Sequence, residues 1–141
     1  MKLSSTVLFV LIGFIIINCI SCREDIVSPD NFAGNVNEPL ETNKYNSYTF
    51  LIDANMVNLD HSELPDFTSY SSRIIISISD YSSGSINVSV RDNQSVRRFN
   101  YIGNNEVDLY SKLLNGFIPY AIEFTANNFT GKVKIQLSAV Y

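Results

Sequence analysis

Apolar residues recur at every second position through most of this chain, and that spacing constrains the fold more than any other feature. Ile74, Ile76 and Ile78 share one face of the segment Arg73 to Ser79, and Ile86, Val88 and Val90 share one face of the next. Ser85, Asn87, Ser89 and Arg91 fall on the opposite side. A period of two is that of a half-buried strand, whereas a helix repeats every 3.6 residues. Asp80-Tyr81-Ser82-Ser83-Gly84 lies between the two runs and reads as a turn, which predicts a β-hairpin. Tyr48, Phe50 and Ile52 start the series as the first strand, and Asn58 to Ser72 reads as a long connection. Asp92-Asn93-Gln94 and Gly103-Asn104-Asn105 are turns flanking a run in which Arg97, Phe99 and Tyr101 share a face. Val107 and Leu109 follow, then the rows Ile118, Tyr120, Ile122, Phe124 and Val133, Ile135, Leu137, Ala139. Glu106 to Asn115 fits either a strand or a helix with Val107, Tyr110, Leu113 and Leu114 on one face. Six or seven short strands predict an all-β fold, an antiparallel β-sandwich or else a compact β-barrel.

The N-terminus follows a different logic. Met1-Lys2 is a short basic start, Val7 to Ile17 is apolar, and Asn18 to Ser21 is a polar exit toward Cys22. The apolar run is shorter than the ~20 residues that cross a bilayer, and Arg23-Glu24-Asp25 ends it at once. Residues 1–21 therefore read as a cleaved export signal. The segment Cys19-Ile20-Ser21-Cys22 resembles the signal of a bacterial lipoprotein, in which the cysteine after the cut becomes the acylated N-terminus. The chain has two cysteines, and the mature part would keep only Cys22, which has no partner for an internal disulfide. The resemblance implies a diacylglyceryl group and a further acyl chain such as palmitate on Cys22, enough for a stable anchor where one chain is marginal. Arg23-Glu24-Asp25 is similar to the export signal of Bacteroidetes surface lipoproteins. The expected location is the cell envelope, lipid-anchored in the outer membrane and exposed at the surface.

Residues 22–44 are polar and broken by Pro29, Gly34 and Pro39, the composition of a tether. Such a stretch spans roughly 25 Å on average. Residues 45–141 then form the β domain. Loss of Lys2 with the signal leaves nine basic and fourteen acidic residues, a net charge of −5. A mildly acidic surface disfavours nucleic acid as a partner. Buried rows of Ile, Val and Phe supply a core without a metal or a disulfide.

The closing stretch from Tyr120 to Leu137, with Phe129-Thr130-Gly131 as a corner, resembles the last hairpin of immunoglobulin-like and jelly-roll surface modules. Such a likeness implies a fold and not an activity. The densest set of functional groups is Asp60-His61-Ser62-Glu63-Leu64-Pro65-Asp66, read as a loop. It lacks the DxDxDG spacing of a calcium loop, so no metal or other cofactor is expected. His61 is the single histidine, and no GxSxG elbow accompanies it, so no enzyme is expected. Arg97 and Arg98 alternate across a strand and make no single basic site. Tyr70 and Tyr81, in loops with Arg91 or Arg98, Asn104 and Asn105, are candidates for stacking on and hydrogen bonding to a glycan. The leading expectation is a non-catalytic module that binds an envelope protein by strand addition, with carbohydrate binding as the alternative. The last strand, running to the chain end, is the expected free edge.

Overall fold

The computed structural model describes residues 35–141, so the signal segment and Cys22 lie outside the described residues. Six antiparallel strands follow one another: β1 (Leu40–Lys44), β2 (Ser47–Glu63), β3 (Ser71–Arg91), β4 (Arg97–Gly103), β5 (Val107–Asn115) and β6 (Ala121–Ala139). They hydrogen-bond in the order β1-β2-β6-β3-β4, and β5 pairs with β3 as well. The fold is all-β and antiparallel, as the alternation predicts.

One sheet makes both layers because its three long strands fold over. Phe124 and Ile135 are eleven residues apart on β6, about 36 Å if the strand ran straight. Yet Phe50, paired with Ile135, stacks on Phe124 with ring centroids 4.3 Å apart. The strand must double back between them. One layer consists of β1, the first half of β2, the second half of β6, the first half of β3, and β5. The other consists of the second half of β2, the first half of β6, the second half of β3, and β4.

The folds occur at one level in all three strands. Met56, Asp80 and Asn128 take positive φ of 52°, 51° and 45°, and Gly84 one of 79°. Asp and Asn tolerate this region better than most residues. Gly84 is required on a second ground, since a Cβ there would lie 2.3 Å from the Asn128 carbonyl oxygen. One extra residue in β2 and one in β6 shift their register between Ala54 and Leu59, and two extra residues in β3 and one in β6 shift theirs between Ser79 and Ser85. A one-residue slip flips the inward face. Accordingly β2 buries Tyr48, Phe50, Ile52 and Ala54 before its bend and turns Val57, Leu59 and His61 inward after it. In β6 the inward set changes from Ile122, Phe124 and Ala126 to Val133, Ile135 and Leu137. On β3 two residues are added, and Ile74 to Val90 keep one parity throughout.

Several expectations are corrected. The predicted hairpin from Arg73 to Val90 is a single bent strand, because each run pairs with β6 rather than with the other. The predicted closing hairpin is likewise one strand, β6. That strand is central, between β2 and β3, and not a free edge. Both of its halves alternate with buried residues and find partners on two sides, so no edge is left to it. Asn58 to Glu63 extends β2, shortening the long connection to residues 64–70. Residues 107–115 form a strand, and residues 40–44, read as tether, form β1.

Candidate functional site

Each side edge of the sandwich leaves a seam where the interior meets solvent, and the seam between β1 and β2 is polar. Directly opposed residues of antiparallel strands share a face. Glu41 opposes Phe50 and so points inward from β1. His61 opposes Phe124 and Glu63 opposes Ile122, so both point inward from the second half of β2, in the other layer. The three side chains meet across the seam. His61 Nε2 lies 2.8 Å from Glu41 Oε1 and 3.6 Å from Glu63 Oε1. Their side chains are 27%, 24% and 39% exposed respectively.

The imidazole is held from below by the core. Its centroid is 6.1 Å from the Phe124 ring at an interplanar angle of 19°, and 6.2 Å from Phe50. Tyr48 donates its hydroxyl to Glu41 Oε2 at 2.9 Å, fixing that carboxylate. Burial pushes the Tyr48 phenol well above its ordinary range, and the Glu41 hydrogen bond with the Glu41 and Glu63 charges adds to the rise. The phenol therefore stays a donor. His61 Nε2 is shielded from water and forms no aligned hydrogen bond: the Glu41 contact has the length of one but not the direction.

The sequence pointed to Asp60, His61, Glu63 and Asp66 as one loop. A strand separates them: His61 and Glu63 turn in, Asp60 and Ser62 turn out, and Asp66 is exposed in the connection beyond. Ser62 beside His61 is thereby directed away from it, which removes that pair as a nucleophile and base. Glu41 was missed, since it is 20 positions away in a segment without periodicity and joins only through strand pairing.

The residues named as glycan candidates are split between the two ends of the sandwich. Tyr70, 67% exposed, lines a shallow groove of about 200 Å³ with Asn93, Gln94, Arg98, Phe117 and Ile118 at the end opposite the bends. Arg91, the last residue of β3, lies at the same end of the sandwich but is taken up by Glu123 at 2.6 Å and the Ser95 carbonyl. Tyr81 is at the bend, where its ring packs on Phe129 at 6.0 Å and its hydroxyl donates to the Gly84 carbonyl. Asn104 and Asn105 occupy the β4–β5 turn near that bend, since the neighbouring Gly103 opposes Ile86 and Val107 opposes Ile78. Tyr70 and Arg98 alone among these residues share a surface.

Beside the groove, Asp92 closes the turn into β4. Its carboxylate accepts from the Gln94 and Val96 amides and from Arg98 Nε at 2.6 Å. Burial pushes this carboxyl up, but Arg98 and the two amides outweigh it and hold it below its ordinary range. Glu123 is lowered by its Arg91 hydrogen bond, against burial and with help from Ser89.

The opposite seam, between β4 and β5, is aromatic. Tyr101 and Tyr110 meet across it with centroids 4.7 Å apart, Phe99 lies 6.3 Å from Tyr110, and Lys112 Nζ sits 5.6 Å over the Phe99 ring. Along the outer rim of this side, Ile102, Leu109 and Leu113 are exposed. The chain matches no protein-family model, and no curated protein is significantly similar to it.

Proposed function

We propose that this chain is a cell-envelope lipoprotein, acylated at Cys22, that displays a non-catalytic β-sandwich for binding a protein partner. The observation that carries the reading is the free edge of β5. Among the described residues this strand pairs only with β3, and its nine residues carry the exposed Leu109 and Leu113 along an edge that no described strand covers. Exposed apolar side chains along an unpaired strand edge are the features on which strand addition draws. A photo-crosslinking residue at Leu109 in intact cells is expected to trap one envelope protein. The same probe at Lys134, on the central strand, traps none. Equal labelling from both positions removes the edge reading. The anchor is tested separately by the intact mass of the membrane-extracted protein, which should carry an acyl increment lost in Cys22→Ala.

A second reading rests on the groove at the far end. Tyr70 stands exposed beside Arg98, Asn93 and Gln94, a ring with hydrogen-bonding neighbours suited to a sugar face. Retention on cell-surface polysaccharide that disappears in Tyr70→Ala, with folding intact, would favour it over the protein partner.

A further inference from the structure

We infer that Glu41, His61 and Glu63 form a binding site for a divalent transition cation, with zinc the best match. The inference is independent of the binding reading above. Zinc takes histidine nitrogen and carboxylate oxygen at about 2.0–2.2 Å, so two ligands on a tetrahedral ion sit about 3.3 Å apart. The observed separations from His61 Nε2, 2.8 Å to Glu41 and 3.6 Å to Glu63, bracket that spacing. All three ligand atoms lie within 4.8 Å of one another.

Three further observations favour a cation over an ion-pair cluster. His61 Nε2 is shielded from water yet has no aligned hydrogen bond, so its in-plane lobe is not spent on Glu41. A cation on that lobe would take the carboxylate oxygens from the side, which is where they are. Phe124 and Phe50 hold the ring in place, and Tyr48 binds the second oxygen of Glu41, as an outer partner orients a ligating carboxylate. Finally, the charges match: two carboxylates and a neutral imidazole balance one dication. One nitrogen and two oxygens are a borderline-to-hard set, which suits zinc or manganese and not a soft ion such as Cu(I). Three protein ligands at a solvent-facing seam leave a fourth position for water or for a group from a partner.

The test is titration of the purified full chain, stripped by chelator, with zinc chloride. One zinc per chain is expected, with a higher melting temperature, and X-ray absorption should report one nitrogen among oxygens at about 2.0–2.2 Å. Glu63→Gln and His61→Gln should each weaken binding by more than about a hundredfold, and Tyr48→Phe by about tenfold to a hundredfold. Glu63 is the most exposed of the three, so its variant decides the matter should His61→Gln fail to fold. A folded chain that takes up neither zinc nor manganese overturns the proposal. So does zinc uptake that is undiminished in Glu63→Gln, which would place the ion elsewhere.

Discussion

The two seams of this sandwich solve one problem with opposite chemistry. Both lie where the layers part and the interior meets water. Between β4 and β5 the gap is filled by Phe99, Tyr101 and Tyr110 under Lys112. Between β1 and β2 it is filled by Glu41, His61 and Glu63 over the Phe50 and Phe124 rings. Aromatic pairs add ~0.5–1.5 kcal/mol beyond the area they bury. Partly exposed ion pairs add ~0–1 kcal/mol. Stability alone therefore favours the aromatic solution at both edges. The polar seam is the weaker seal, and what it offers instead is a set of ligand atoms converging at a fixed spacing.

The comparison can be broken at its root through Gly84, since the bends create both seams. Gly84→Ala places a Cβ against the Asn128 carbonyl at positive φ, and a loss of about 3 kcal/mol is expected in chemical denaturation. Next in size is Tyr110→Ala, which opens the aromatic seam and should remove about 2–3 kcal/mol, less than for a fully buried ring. His61→Ala, measured in chelator, should remove only about 1 kcal/mol. A loss as large as that of Tyr110→Ala would mean that the polar seam is a structural seal after all. The smallest effect is at Lys112→Ala, about 0.5 kcal/mol for the cation over Phe99, and salt should leave most of it in place.

Acid tests the far end of the sandwich. Glu123 and Asp92 both titrate below their ordinary ranges in the folded protein. A carboxyl lowered on folding stabilises above its unfolded pKa, about pH 4 for these side chains, and that stabilisation is lost as pH falls through the folded value. Melting temperature followed from pH 6 downward should drop, and the drop should be shallower in Glu123→Gln. Tyr110→Ala should lower the whole curve without changing its slope. An unchanged slope in Glu123→Gln would remove the Arg91 pair as a source of acid sensitivity.

How much was legible in advance varies with the kind of claim. The inward rows from Ile74 to Val90 and from Val133 to Leu137 were readable from alternation alone, because a strand of either fate presents the same face. Hairpin and bend were not distinguishable on that basis. Asp80 to Gly84 carries turn-forming residues in both cases, and the outcome depends on whether each run pairs with the other or with β6. Residues 107–115 suit either state in sequence, and pairing with β3 made them a strand. Of the polar seam, His61 and Glu63 stood out, but as members of a loop. Glu41 carried no local signal, since its role arises only from opposing Phe50.

By itself, the sequence determined an all-β chain, the inward rows from Ile74 to Val90 and from Val133 to Leu137, and several of the places where its backbone turns. These are local matters of side-chain period and of the φ values that Gly, Asn and Asp accept. Tertiary structure decided which strand lies beside which, that β6 is central, and that three polar residues from two layers share one point. Backbone hydrogen bonds are chemically alike in every strand pair, so they do not select among partners. The selection comes from burying all the apolar rows at once, and that is a property of the whole sheet.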